Sequence, residues 1–177
     1  MSPPQEENVA LIARDLPALR ASPDAWVADF ERFDDILNKT PSATADLVKP
    51  AVADTIMANL DWLRGRDWRI WAACVMPSHI HLVLGNTAGQ NMNLNQDLGQ
   101  FKNFTARAAN ELLGLTGTFW QREVFDHWCR NSEQWLRFVH YTAMNPVRAG
   151  LATTWRSWRW TRIDPETEKA LNEISTQ

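Results

Sequence analysis

Apolar residues recur at helical spacing early in the chain. Trp26, Val27, Phe30, Phe33, Ile36 and Leu37 make one face of a helix predicted over residues 23–38, with Ser22 as N-cap and Pro23 at its first position. A second pattern of the same period runs through Val48, Val52, Ile56, Leu60 and Leu63 (residues 46–63) and stops at Gly65. The period then changes. DWRIWAACVM (67–76) and HIHLVLGN (79–86) are short runs rich in Trp, Ile, Val and Leu, parted by Pro77-Ser78, and predict an antiparallel hairpin. A long helix follows over about 93–113, with Leu94, Leu98, Phe101, Phe104, Thr105, Ala108 and Leu112 inward and Lys102 and Arg107 toward solvent. GLTG (114–117) ends it. A strand is expected around Val124–Cys129, and Asn131 or Ser132 caps a helix that Pro146 and Gly150 close. WRSWRW (155–160) reads as an irregular aromatic-basic patch, and the C-terminus as a frayed helix.

This order of elements is α+β, with a ferredoxin-like or RRM-like antiparallel sheet and helices on one face. Such a sheet needs one more strand ahead of the first core helix. NVALIA (8–13) is the one candidate and reads as easily as helix, so the first strand is left uncertain. Three parts are expected: an acidic, mostly helical N-terminal extension (1–45), the main domain (46–163) and an acidic C-terminal tail (164–177).

Charge sharpens that division. The 177 residues carry a net charge of −3, which by itself speaks against a nucleic-acid partner. Residues 61–163, however, hold 12 basic side chains against 7 acidic, and nine of the ten Trp. Arginine with aromatic faces is what unpaired nucleic acid requires, although most of these Trp are expected in the core. No apolar run is long enough to span a bilayer, and the N-terminal residues lack a signal-peptide pattern. Cys74 and Cys129 fit a reducing, cytoplasmic setting and read as buried small residues; without a CxxC pair, a zinc site is a poor reading.

Candidate chemistry begins at the hairpin. His79 and His81 are two apart on a predicted strand, so both imidazoles leave the same face and can converge on one divalent ion. Taken alone, the pair reads more readily as two ordinary surface histidines on the solvated face of a strand. Tyr141 is the only tyrosine, mid-helix in RFVHYTAMNPVRAG, and Asn145 lies one turn on, on the same face. A phenol is a poor nucleophile at neutral pH, but a metal polarising a phosphate oxygen would let it attack a phosphodiester. Asn145 could offer a hard amide oxygen to Mg²⁺ or Mn²⁺. Separately, a half-buried helix tyrosine and a helix-terminal asparagine are the better readings of these two residues. His127 and His140 read as structural, His140 pointing about 100° away from its neighbour Tyr141 on the helix.

VMPSHIHLVL resembles the His-hydrophobe-His strand of the HUH single-strand transposases. FWQREVFDHWCRNSEQWLRFVHYTAMNPVRAGL is similar to the signature of one branch, the REP-associated tyrosine transposases, and the likeness covers about residues 46–163. It implies His79 and His81 as metal ligands, Tyr141 as nucleophile, and Asn145 in the place of a third, helix-borne ligand. Trp120, Gln121, Arg130 and Arg148 match further motif positions, read as nucleic-acid contacts, with Asp126 and His127 as site support. Lys102 and Arg107 are expected to meet phosphates. Ser78 stands where the family usually has Asn or Asp.

The resemblance implies a metal-dependent endonuclease and strand transferase, with Mg²⁺ or Mn²⁺ as cofactor. Its substrate would be single-stranded DNA folded into palindromic hairpins, cut through a 5′-phosphotyrosine intermediate in the bacterial cytoplasm or nucleoid. Monomer and homodimer both stay open, and no membrane partner is expected. Two alternatives stand beside this reading: a silent, domesticated hairpin-binding module, and a small metal hydrolase in which Tyr141 is incidental.

Overall fold

The computed structural model describes residues 7–13, 26–39, 47–87, 93–122 and 124–174. Five strands, β1 (Glu7–Ala13), β2 (Trp68–Val75), β3 (His79–Asn86), β4 (Phe125–Cys129) and β5 (Thr161–Ile163), form one antiparallel sheet in the order β4-β1-β3-β2-β5. The helices are α1 (Trp26–Lys39), α2 (Pro50–Arg64), α3 (Leu94–Leu113), α4 (Ser132–Arg148) and α5 (Pro165–Ile174). The first four strands reproduce the ferredoxin-like order, and β5 extends the sheet beyond β2.

The segment 8–13 is thus a strand. It pairs with β3 on one side, from Glu7 opposite Gly85 to Ala13 opposite His79, and with β4 on the other. Its five-residue apolar run is too short for an amphipathic helix to show its period, which is why the sequence alone left the choice open. Because β1 is central to the sheet, this part of the first 45 residues is built into the domain rather than standing apart as a helical extension.

Side-chain alternation gives the sheet two covered faces. Ile80, Leu82 and Leu84 of β3 join Ile70, Ala73 and Val75 of β2 in a core with Val52, Ile56, Leu60, Leu63, Leu98 and Phe101 of α2 and α3. The sequence reading puts helices on one face. The opposite face is covered as well: Trp71, Ala72 and Val83 pack with Phe30 and Leu37 of α1 and Phe138, Val139 and Tyr141 of α4. An irregularity in the β2–β3 register between Ile70 and Ala72 lets the neighbours Trp71 and Ala72 both turn toward this second core.

Helix ends follow the expected chemistry. Pro50 opens α2, Asn93 accepts from Gln96 N at the start of α3, and Asn131 accepts from Gln134 N at the start of α4. Gly114 ends α3 at φ 63°, a left-handed position that glycine takes without a Cβ clash. The helix α4 carries through Pro146 to Arg148 instead of stopping there. The cap expected at Ser22 and Pro23 lies outside the described residues.

The α3 face is turned from the one expected. Phe104 and Leu112 are each 51% exposed, while Lys102 is buried and donates from Nζ to the Arg122 carbonyl at 2.8 Å. The buried stripe runs Leu94, Asp97, Leu98, Phe101, Lys102, Thr105, Ala109. Asp97 belongs in it because Trp68 Nε1 donates to its Oδ2 at 2.9 Å, with Arg66 on its Oδ1 at 3.2 Å. Asp97→Ala leaves the buried indole N–H without its acceptor. Chemical denaturation should show a loss of about 1–3 kcal/mol, with the tryptophan emission changed.

WRSWRW is tied down rather than free. Arg159 and Trp160 bond Asp54, Trp158 donates to the Val75 carbonyl, and Arg156 pairs with Glu168 of α5. Arg69 bonds Asp164 and Glu166, so the acidic tail closes on the sheet.

Candidate metal and tyrosine site

The second core holds the polar cluster. β3 presents His79 and His81 on one face, as their spacing predicts, and both are fully buried. Tyr141 and Asn145 of α4 come to them from the same helical face, with 5% and 0% exposure. Asp34 of α1, 1% exposed, completes the group. His79 Nε2, His81 Nε2 and Asp34 Oδ1 stand 2.9 Å from one another on every side. Asp34 Oδ2 accepts from the Tyr141 hydroxyl and, at 2.5 Å, from Asn145 Nδ2. The Asn145 amide nitrogen also lies 2.8 Å from His81 Nε2, and its Oδ1 accepts from Asn38 Nδ2 at 3.1 Å. Ser78 Oγ donates to the Leu37 carbonyl and meets His79 Nδ1 at 3.0 Å, fixing that ring.

The charges are strongly biased. Burial works to raise the Asp34 pKa, but the charge on His81 and hydrogen bonds from His79 and His81 outweigh it and hold the carboxyl below its usual range. Burial pushes His79 down toward the neutral imidazole. Burial, with the Asp34 charge and hydrogen bond added, pushes the Tyr141 phenol up, so it keeps its proton. The Arg148 guanidinium lies 4.5 Å from the Tyr141 ring centre and pairs with Asp35 at 3.7 Å. Cys74, buried nearby, is pushed up to about 12 by burial and is an inert thiol.

The donor set fits a divalent cation. Three contacts join three atoms, yet only the two imidazole nitrogens can carry hydrogens there, so two hydrogen bonds cannot satisfy three edges. A cation facing His79, His81 and Asp34 would make all three atoms ligands at once, and among the described residues these three are a group that could hold a metal ion.

The expected contact residues fall in other places. Lys102, Arg107, Trp120 and Gln121 line one hollow beside α3, on the sheet face opposite Tyr141. Trp120 is buried and donates to Thr105 Oγ1, so it serves the core. Arg130 lies by the start of α4 with Gln134 and Arg137. Asp126 is exposed on β4, and His127 packs its ring 5.9 Å from Phe138, away from the metal-ligating group. His140 is exposed. Asn145 reaches the cluster as expected, with its amide nitrogen toward it; the carboxylate beside the histidines comes from Asp34.

Sequence reasoning missed Asp34 and Asn38, though a signal was there. Asp34 sits inside the apolar stripe of its helix, between Phe30, Phe33 and Leu37, where a carboxylate needs a buried partner. Asn38 follows one turn later.

No protein-family model and no curated protein sequence matches the chain. Among solved structures, it is similar to a REP-associated tyrosine transposase bound to a REP hairpin. The TM-score is 0.53 at 17% sequence identity, over 89% of this chain and 75% of that one. At this identity the likeness is one of fold. Among the described residues, no helix is long and apolar enough to cross a membrane.

Proposed function

We propose that this chain is a metal-dependent, single-tyrosine DNA endonuclease and strand transferase acting on single-stranded, hairpin-bearing DNA. The observation that carries it is the convergence of the only tyrosine, two histidines and a carboxylate from three separate elements into one buried cluster. The fold shared with a transposase that binds a REP hairpin supports the same reading. His79, His81 and Asp34 would hold the ion, with Asn145 beside them. The ion would be Mg²⁺ or Mn²⁺, with the Asp34 carboxylate and the two imidazoles as its protein ligands. A bound ion supplies Lewis-acid polarisation of the scissile phosphate and offsets the Asp34 charge that keeps the phenol protonated.

The rest falls to the chain. The Tyr141 oxygen attacks phosphorus, and its proton crosses the hydrogen bond to Asp34 Oδ2 only in passing, since that carboxyl is held below its usual range, and ends on the departing O3′. The Tyr O–P bond forms as the P–O3′ bond breaks, leaving a 5′-phosphotyrosine and a free 3′-OH. One phosphoester replaces another, so rejoining needs no outside energy source. Arg148, stacked on the tyrosine ring, would leave its pairing with Asp35 to meet a phosphate oxygen.

One observation favours a second reading, a silent hairpin-binding module: Tyr141 is 5% exposed beneath α1, so a phosphate reaches its oxygen only when α1 shifts. The two readings separate in one assay. Labelled single-stranded hairpin DNA with Mn²⁺ should give a denaturation-resistant protein–DNA adduct, and excess chelator should remove it. Binding without any adduct would decide for the silent module.

A further inference from the structure

We propose that the groove along the outer side of α3 binds an unpaired stretch of nucleic acid, stacking bases on Phe104 and Trp62 and holding phosphates with Arg107 and Arg122. The inference rests on the nucleic-acid reading above and adds to it a second contact surface, separate from the tyrosine site. Two hollows of about 620 and 440 Å³ adjoin here and share Asn103 and Arg107. Among the described residues, neither has a carboxylate in its lining. That is unusual in a chain with 21 Asp+Glu against 18 Lys+Arg. Arg107 and Arg122 are exposed and make no ion pair among the described residues, whereas the arginines of the 155–162 segment are engaged with acids.

The aromatics point the same way. Phe104 is 51% and Trp62 37% exposed at the second hollow, on a helix pair whose inner faces are buried in the first core; the Arg66 guanidinium lies 5.2 Å from the Trp62 ring centre. Exposed rings beside unpaired guanidinium groups are the two components that bind single strands: flat faces for bases, fixed cations for phosphates. Gln100, Asn103 and Gln121 add side-chain amides with no hydrogen-bond partner among the described residues. An amide offers a donor and an acceptor together, which suits the edge of an unpaired base better than a phosphate.

Position sets the role. The groove shares no residue with the cluster of Asp34, His79, His81 and Tyr141, and the sheet lies between them. Bases held here are therefore not the ones at the scissile phosphate; the groove anchors another part of the same strand.

The test is equilibrium binding of the full chain to three probes, over a range of salt: a single-stranded hairpin with unpaired flanks, an unstructured oligothymidylate, and a blunt duplex. Arg107→Ala with Arg122→Ala should weaken binding of both single-stranded probes at least tenfold and lower the salt slope by about 1.4, roughly 0.7 for each phosphate no longer held. Phe104→Ala should weaken them at least about fivefold with the slope unchanged. Thermal melting confirms that these surface variants stay folded. Wild-type binding that the variants reproduce, with the same slope, overturns the groove and leaves the tyrosine chemistry standing. Duplex bound as tightly as the hairpin, with Phe104→Ala silent, overturns it too, leaving only a phosphate-binding patch. Tight groove-dependent binding by a wild-type chain that forms no adduct keeps the groove and sinks the transfer reading. No binding to any probe overturns both.

Discussion

Tyr141→Phe is expected to reduce adduct formation and strand cleavage to the uncatalysed background, while the chain remains folded and still binds its DNA. The substitution removes one oxygen from the cluster and nothing from the packing. The ring keeps its edge contacts with Phe30 and His81 and the Arg148 guanidinium above it. Asp34 Oδ2 loses one donor but retains Asn145 Nδ2, so the stability change should be within about 1 kcal/mol of zero. The catalytic loss has no such cushion, because Tyr141 is the only tyrosine and no second phenol can take over. Denaturing gel electrophoresis of labelled DNA reads the adduct and a melting curve reads the fold. Cleavage that survives in the Phe variant would shift the reading to a metal hydrolase acting through His79 and His81 with water as nucleophile.

How far the sequence alone leads depends on what each residue answers to. His79 and His81 were legible because a strand's two-residue period puts them on one face, whatever packs above. Tyr141 and Asn145 were legible because a helix turn does the same. Helix and strand spans in 47–87 and 93–129 follow their patterns closely for this reason. β1 was not legible, since a central strand owes its conformation to partners distant in sequence, such as His79 opposite Ala13 and Gly85 opposite Glu7, and carries no long period of its own. The α3 face was misread by its neighbours in space: Lys102 is drawn inward by the carbonyl of Arg122, and Phe104 is left outside. Asp34 escaped for a related reason. Its value lies in contacts with His79, His81 and Tyr141, which local patterning cannot show. The sequence charge sum likewise concealed that one of the ten acids among the first 60 residues is buried in the site.

Asp34→Asn should therefore be the most damaging change outside the tyrosine, and it should act through the ion. The wild-type chain gains stability from any ion that binds only its folded form, about 2.7 kcal/mol when the free ion stands 100-fold above its Kd. A rising melting temperature across a Mn²⁺ or Mg²⁺ titration reads that gain. An asparagine fills the same volume and can still accept from Tyr141, but it brings no charge to the histidine pair. The metal-dependent rise should be lost or moved to far higher ion concentration, and adduct formation should be lost with it. In chelator the variant should also be less stable by about 3–5 kcal/mol, the range for removing one member of a buried charged group. The depressed Asp34 pKa gives the sign: the folded state favours the carboxylate over the acid, so abolishing the charge gives up stabilisation. Asn145→Ala offers the contrast, since it removes hydrogen bonds to Asp34 and His81 but no charge; it should weaken the metal response without erasing it. An undiminished metal response in Asp34→Asn would remove the carboxylate from the ligand set and leave that place to Asn145, whose amide would then have to turn its oxygen from Asn38 toward the histidines.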